Sequence, residues 1–499
     1  VSVAVNVDAS ARGGFKVLAL SERPWIDPVA AAARLADRPW TALLHSDGGP
    51  KARWSYLCAD PVRAWTDRGE TANGEAVLSR VRERVGLPSP VSPANGGVQI
   101  ASENRSAGAP NGASTQSSAS GPRRSPGNRT LEIPPFTGGA VGLLAYEFGA
   151  RLETLDLPRD PDWPDAAVAI YPAVLAFDHH ERRCVAVGRG ADPTESRRRA
   201  EQAGAWAGAG EVPEPEPSDD WTPLAPVEAY EAAVADVVAR IGAGELFQAN
   251  VARGWGGTLG RPDAAFAAFA ALARRRSAPF GAWLRLPGLA LVSNSPERFV
   301  EVRGERVETR PIKGTRPRGG SAAEDATQAA ELLASLKDRA ENLMIVDLMR
   351  NDLARVCRPG SVEVADLFAL ETYANVHHLV STVRGRLAEG RDALDVLAST
   401  FPPGSITGAP KLQAMRVVSA HEPPRGPYCG SLFRLGFDGS LDSSVLIRTA
   451  AFVERSGGGW RYTARAGAGI TADSDPASER AETEAKASAL RAALTGEGA

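Results

Sequence analysis

The sequence predicts a mixed α and β fold with antiparallel strands, and three observations carry that prediction. Strand-like runs such as AVAIYPAVLAFD and RRCVAVG follow one another across short turns. Apolar residues recur at helical spacing in longer stretches, above all Leu332, Leu333, Leu336, Leu343, Val346 and Leu353. The composition breaks completely once, over 102–129, which is nearly all Ser, Gly, Asn, Ala, Pro and Arg. That segment carries no aromatic and no large aliphatic side chain. It buries too little apolar surface to offset the entropy of ordering and reads as a disordered insertion.

The elements follow in order. Val29 to Leu35 is a short Ala-rich helix pattern entered at Pro28. Thr41 to His45 and Trp54 to Cys58 read as strands, and Gly74 to Val85 has helical spacing. After the insertion, order resumes at FTGGAVGLLAYEFGARLE, Phe136 to Glu153. A polar, Pro/Glu-rich gap from Glu211 to Asp220 then divides an N-terminal region, 1–220, from a second region, 226–499. The second region opens with a helix, Pro226 to Gly242. The runs GAWLRL, LALVSN, ERFVEV and ERVETR, joined by Gly-containing turns, read as one antiparallel meander. A single long helix is expected over Glu324 to Val356. A last helix is expected over Pro476 to Leu494, with Asp475 as N-cap and Pro476 at the first helical position.

Composition narrows the function. The 499 residues hold 57 Lys+Arg against 60 Asp+Glu, a net charge of −3. A phosphate-reading surface shows a basic excess, so a general nucleic-acid binder is not expected. The cysteines Cys58, Cys184, Cys357 and Cys429 are far apart, with no C-x-x-C. Neither a zinc site nor a disulfide framework follows, and a reducing, cytoplasmic setting fits. No apolar run approaches the roughly 18 residues of a membrane helix, and no secretory signal is visible.

Several motifs mislead. GAGITA, Gly467 to Ala472, matches a dinucleotide pattern, but too little chain follows for a second strand with a ribose-binding acid. PGSITGAPK lacks the Gly-Lys-Ser/Thr of a P-loop, and G-x-S-x-G is absent. His179-His180 and His377-His378 are adjacent pairs, not ligands spaced along one helix face.

Two features bear on chemistry. Asp338 and Glu341 are three apart on one expected helix, and Glu479 and Glu482 are three apart on another. Each pair shares a helix face. Two such faces could meet around a hard cation such as magnesium, or each could be a solvated face paired with Arg339 or Arg480. In TRPIKGTRPR, Thr309 to Arg318, Lys313 sits where a strand-like run ends, between two stiffening prolines. A Lys on rigid backbone can act as an amine nucleophile once desolvated. On the residues alone, a basic loop facing water is the plainer reading of the same segment.

Together with IGAGELFQANVAR, SPERF, KDRAENLMIVDLMRNDLARV, HHLVSTV, FPPGSITGAPK, LIRTA and RAGAGI, that segment resembles the chorismate-utilising enzymes, motif for motif in the same order over 226–499. ALLHS, RWSYLCADP and FTGGAVGLLAYE resemble the N-terminal region of the long members, the anthranilate and aminodeoxychorismate synthases. The resemblance implies an α+β fold of two packed antiparallel sheets with helices on the outer faces. Gln248 stands where isochorismate and salicylate synthases carry a water-activating Lys, which points to an ammonia-using enzyme. Lys313 stands in PIKGT where anthranilate synthases read PIAGT, which points to component I of the aminodeoxychorismate synthases. Arg316 in GTRPR resembles the anthranilate synthases and keeps that alternative open. A non-catalytic relative retaining the fold is a remote alternative.

The resemblance assigns the site residues. Lys313 is the implied nucleophile and Glu297 in SPERF the implied general acid. Glu341 and Glu482 would hold Mg²⁺, with Asp338 and Glu479 acting directly or through water. Arg448, Lys486, the backbone at Gly467 and Gly469, Tyr428, His378 and Ser405 fall at substrate-pocket positions. Chorismate is the implied substrate. CGSLFR departs from the family's C-G-S-x-G-Y, placing Phe433 and Arg434 where Gly and Tyr are usual. Ser46, Arg53, Trp54, Pro279 and Phe280 match a tryptophan pocket. LLHS replaces the LLES of feedback-regulated members, which argues against inhibition by tryptophan. None of the four cysteines sits in a G-x-C-x-G elbow, so ammonia would come from solution or from a separate glutaminase subunit.

Overall fold

In the computed structural model of the protein, the described residues are 2–6, 15–46, 52–71, 73–88, 131–153, 155–218, 220–275, 277–373 and 376–496. The expected insertion at 102–129 lies outside them. The described residues form two large antiparallel sheets, 13-stranded and 10-stranded; each includes one strand outside the main order, Gly408–Ala409 beside Gln248–Leu259 and Glu363–Thr372 beside Val376–Arg386. The first runs in the order Ser2–Asn6, Val17–Pro24, Arg183–Gly190, Ala173–Asp178, Trp54–Cys58, Ala42–His45, Phe280–Leu286, Leu289–Ser295, Thr449–Glu454, Trp460–Ile470, Gln248–Leu259 and Thr222–Pro223. The second runs Ile312–Pro317, Val376–Arg386, Arg306–Thr309, Arg298–Arg303, Leu441–Val445, Ser431–Gly436, Gly139–Leu144, Ala166–Tyr171 and Arg63–Asp67. Strands from before residue 220 and after residue 226 thus share both sheets.

The three largest apolar clusters account for most of the layering. Leu20, Tyr56, Phe136, Leu143, Leu284 and Leu432 form one cluster that draws on inner faces of both sheets. A second cluster lies under helices on the outer side of the first sheet and includes Phe269 and Trp283, each 1 % exposed. Its helix Ala264–Arg275 is buried on nearly every side, and its alanines let it approach the sheet closely. A third cluster packs Gly74–Val85, Leu336–Ala354 and Ala393–Thr400 on the second sheet, through Val81, Ile345, Met349 and Leu397. Removing this apolar surface from water, at about 25 cal/mol per Å², drives the layers together.

Local signals explain most element ends. Asp27 caps Pro28–Ala33 by accepting from the Ala30 amide. Gly74–Val85 forms as expected, with Asn73 as N-cap and left-handed Gly86 ending it at φ 81°. Asp475 accepts from the Ser478 amide and Pro476 opens Pro476–Thr495. None of the described helices is long and apolar enough to cross a membrane.

Two expectations need correcting. The four runs GAWLRL to ERVETR are not one meander. Phe280–Leu286 pairs with Leu289–Ser295 in the first sheet, while Arg298–Arg303 pairs with Arg306–Thr309 in the second. The chain crosses between sheets at Pro296–Glu297, because Leu289–Ser295 takes Thr449–Glu454 as its other neighbour. The single helix over 324–356 is two, Ala322–Ala334 and Leu336–Ala354. Ser335 takes an extended conformation between them, with φ −64° and ψ 110°, and its side chain accepts from the Asp338 amide. An N-cap inside an apolar repeat breaks the helix without breaking the spacing.

The polar gap before residue 220 is a packed strap. Glu216 accepts from the amides of Gly260 and Arg261, and Asp220 accepts from Thr258.

Candidate active site

The sheet crossover builds the site. Glu297 sits at the crossover, 5 % exposed. Burial pushes its carboxyl up to about 7, against the opposing effects of the Ser405 hydroxyl, Lys313 and Arg448. Lys313 lies in Ile312–Pro317, an edge strand whose register on Val376–Arg386 shifts between Ile312 and Thr315. That irregularity turns the Lys313 side chain toward the helices. The residue keeps partial exposure, but its amine end lies deep. Burial lowers its pKa, with Lys486 adding to the effect, while Glu341, Glu297 and Glu482 oppose it. A lowered Lys pKa enlarges the neutral, nucleophilic fraction.

The floor is bare backbone. Gly467 and Gly469 lie in Trp460–Ile470, opposite Ala252 and Asn250 of Gln248–Leu259. Asn250 and Ala252 turn their backbone groups away from that partner, the Asn250 amide to Thr407 O and the Ala252 amide to Glu422. The facing glycines must then turn theirs outward as well, as non-bonded pairs in an antiparallel ladder do. The neighbouring strand stops pairing at Ala464, so these groups face no strand, and Lys486 Nζ bonds Gly467 O at 3.0 Å. A Cβ at Gly469 would collide with Gln248 Nε2 and come within 3.2 Å of Lys313 Nζ. One at Gly467 would lie 2.9 Å from Asn250 Nδ2 and 3.0 Å from the Tyr428 hydroxyl. Glycine is thus required at both positions for close approach.

Strained backbone borders this floor. Arg448 has φ 52°, and Cys429, after buried Tyr428, has φ 65°. Non-glycine residues adopt such angles only where the surroundings impose them. His378 pairs with Thr315 through Nδ1 at 2.9 Å, and burial beside Arg448 lowers its pKa to about 4. It is therefore neutral at physiological pH. Ser405 lies in the short turn Gly404–Ile406, 7 % exposed.

The four acidic residues come from two facing helices. Burial raises the Glu341 pKa, and the nearby charges of Asp338 and Glu482 raise it further against Lys313 and Lys337. Glu482 accepts from Lys486 at 2.6 Å, Asp338 pairs with Arg316 at 3.0 Å, and Glu479 accepts from Ser474 at 2.7 Å and lies 3.8 Å from Lys337. Among the described residues, no three or more His, Cys, Asp or Glu side chains are gathered in metal-holding geometry. The donor chemistry nonetheless fits a hard cation: oxygen ligands only, and a crowded carboxylate at Glu341.

The remaining expected residues gather elsewhere. Ser46, Arg53, Trp54, Pro279 and Phe280 line a separate cleft of about 1140 Å³ including its mouth. The Arg53 guanidinium lies over the Trp54 ring and is held by Asp178 at 2.9 Å and by Glu132. Phe433 and Arg434 also line this cleft. Phe433 is buried against Gly142, where a side chain would collide with its ring, and Arg434 pairs with Asp442 at 2.9 Å. The departure at CGSLFR therefore reshapes this cleft.

Sequence reasoning missed a buried network that braces the site. Arg425, 4 % exposed, donates to Asn250 O at 2.6 Å, Ile406 O at 3.2 Å and Glu422 at 2.9 Å. Glu147, from the N-terminal region, accepts from the Arg425 and Gly426 amides. Lys411 bonds Asp352 and Thr400 O, both at 2.8 Å. No local pattern marks these residues: apart from Glu422, three positions before Arg425, every partner lies more than ten positions away. Asn250 did carry a signal: two positions from Gln248 in a strand, it must share that face.

Residues 95–492 match the family described as chorismate binding enzyme. Aminodeoxychorismate synthase component 1 of Klebsiella aerogenes is 43 % identical over 355 residues, covering 70 % of this chain and 75 % of that protein. The protein of the same name from Escherichia coli (strain K12) is 36 % identical over 459 residues, covering 90 % and 92 %. The crystal structure of anthranilate synthase component I from Streptococcus pneumoniae TIGR4 superposes with a TM-score of 0.69 at 25 % identity, covering 94 % of this chain and 99 % of that one. With the family matched over most of its length, and with the same two-sheet architecture, this chain belongs to the chorismate binding enzyme family.

Proposed function

We propose that the protein converts chorismate and ammonia to 4-amino-4-deoxychorismate through a covalent adduct on Lys313, on the way to p-aminobenzoate and folate. The observation that carries this reading is the placement of Lys313: an amine with a lowered pKa beside the Glu297 carboxyl, over a glycine floor. The names of the relatives, aminodeoxychorismate synthase component 1, support it.

In the first step Glu297, whose raised pKa of about 7 keeps a protonated fraction at neutral pH, donates to the C4 hydroxyl. The neutral Lys313 amine forms a bond to C2, both ring double bonds shift along the conjugated diene toward C4, and C4–O breaks with loss of water, leaving a C2 ammonium adduct. In the second step ammonia bonds to C4, both double bonds shift back, and the C2–N bond breaks, releasing Lys313 as a neutral amine while the new C4 ammonium returns a proton to the Glu297 carboxylate. Two displacements keep the incoming nitrogen on C4. Arg448 and Lys486 orient the substrate carboxylates, and His378, Ser405 and Tyr428 shape the pocket around the ring. Glu341 and Glu482 would hold Mg²⁺, with Asp338 and Glu479 direct or through water. When bound, the ion would neutralise a ring carboxylate and fix its orientation.

Being called component 1 implies that the relatives work with a second component. We assign that role to a glutaminase subunit supplying ammonia, with the work carried out in the cytoplasm. Anthranilate synthase is the second reading, favoured by Arg316 and by the likeness to the Streptococcus pneumoniae enzyme. Incubation with chorismate, Mg²⁺ and ammonium tests both. 4-Amino-4-deoxychorismate is expected, and anthranilate formed without an added lyase would overturn the proposal.

A further inference from the structure

We propose that Asn250 is a substrate-binding residue, its side-chain amide donating a hydrogen bond to an anionic oxygen of the ligand held over the Gly467–Gly469 floor. The inference rests on the function proposed above and adds a contact that nothing so far assigns. Asn250 is 6 % exposed, and its Nδ2 is fully buried without a hydrogen-bond partner. A buried N–H left unpaired is costly, and native structures retain one where a ligand completes it.

The side chain is held in place. The Asn250 amide donates to Thr407 O at 2.8 Å and its carbonyl accepts from Arg425 at 2.6 Å. Arg425 is itself fixed by Glu422 and Ile406 O, and the adjoining turn by Glu147. With both backbone groups tied, the strand cannot slide to find Nδ2 another partner.

The surroundings give the ligand class. Nδ2 lies beside the spot a Cβ at Gly467 would fill, as does the Tyr428 hydroxyl. Absence of that Cβ opens the space toward a ligand. Gln248, on the same face of the strand, also has a buried, unpaired Oε1 and reaches the Gly469 position beside Lys313. A ligand on this floor therefore spans from Lys313 at one end to Asn250 and Tyr428 at the other. Lys486, which bonds the Gly467 carbonyl at 3.0 Å while paired with Glu482, places an ammonium near the Asn250 end. A carboxylate oxygen of chorismate satisfies a donor in that position.

The test measures chorismate affinity by calorimetry in the non-turning Lys313→Ala background, and kcat and KM in the otherwise wild-type chain. Asn250→Ala is expected to raise the chorismate Kd and KM about tenfold or more, with the ammonium KM unchanged. Asn250→Asp keeps the shape but replaces the donor with an anionic acceptor facing the ligand's carboxylate, and is expected to lose more. Both variants binding chorismate within twofold of their parent would overturn the proposal. So would loss of the fold in both, since Asn250 would then be structural. A wild-type chain that binds no chorismate would overturn the function itself, and shows before any variant is made.

Discussion

Two clefts in this protein treat charge in opposite ways. In the cleft lined by Ser46, Arg53 and Trp54, ionisable groups are paired off. Arg298 and Arg434 share Asp442, Arg310 binds Glu371, and Arg53 binds Asp178 and Glu132. Around Glu297 and Lys313 the outer carboxylates are paired, Glu482 with Lys486 and Asp338 with Arg316, but the inner groups stay perturbed. Glu297 is pushed up to about 7 and Lys313 is pushed down by burial, while Glu341 is crowded by like charge. Perturbed groups facing a bare floor are what proton transfer and amine attack require. A fully paired cleft holds shape instead.

The contrast breaks most readily at Lys313. Lys313→Ala is expected to lower aminodeoxychorismate output by at least about 10³-fold, with the melting temperature unchanged or raised because a desolvated amine is gone. A purified variant that kept full output would remove the covalent role. Glu297→Gln is expected next, with a loss of about 10²–10⁴-fold. Its pH profile is more telling than its size. The wild type needs Glu297 protonated and Lys313 neutral, so kcat/KM should be bell-shaped with one limb near pH 7, the value for Glu297. Without a titrating acid, the variant's residual rate should only rise with pH. An alkaline fall surviving in Glu297→Gln would assign the acid elsewhere.

How much of this was written in the sequence depends on distance along the chain. Helix ends governed by neighbours were legible: Asp475 with Pro476, and Gly74 to Val85 to the residue. The split at Ser335 was local too, yet an unbroken apolar spacing hid it. Sheet partnership was not legible, because LALVSN and ERFVEV are adjacent in sequence and strand-like alike. Only the competition of Thr449–Glu454 for the same edge sends them to different sheets. The site divides the same way. Glu297, Lys313 and the helix-spaced carboxylates lie in recognisable motifs, whereas the Glu147–Arg425 brace joins residues 278 positions apart.

Gly469 offers a sharper cut than any charged residue. Gly469→Ala puts one methyl against Gln248 Nε2 and Lys313 Nζ while leaving every ionisable group in place. Activity should fall about 10- to 100-fold through displacement of the amine, with a small change in melting temperature. Full activity would mean that the floor is not where the substrate lies. Omitting Mg²⁺ with a chelator present should abolish turnover by the wild type. Glu341→Gln should raise the Mg²⁺ concentration needed for half-maximal rate.

The paired cleft should respond in stability rather than rate. Asp442→Ala leaves Arg298 and Arg434 without their shared partner, although Glu301 still lies 3.4 Å from Arg298. A cost of about 3 kcal/mol is expected, read as a lower melting temperature, with kcat changed less than about threefold. Burial opposes ionisation of Asp442, but the two guanidiniums win and hold its carboxyl below the usual range. Its contribution is therefore present above the unfolded value of about 3.9 and is lost as pH falls through the folded one. A large fall in kcat with normal stability would mean that this cleft takes part in catalysis.

The smallest effect concerns tryptophan. An amino acid entering this cleft brings an ammonium and a carboxylate, and each needs a partner. Arg53 is already spent on Asp178 and Glu132, Arg434 on Asp442, and Glu371 on Arg310. The zwitterion must compete with standing ion pairs, so its apolar ring, against Pro279 and Phe280, would carry the binding. Nothing in such a complex changes charge around Lys313 or Glu297. Saturating tryptophan should therefore shift turnover by less than about twofold, while calorimetry reports whether it binds at all. Tight binding without inhibition would make the cleft a structural ligand site. Tenfold inhibition would show that the two clefts are coupled through the Pro296–Glu297 crossover, where Pro296 lines one and Glu297 serves the other.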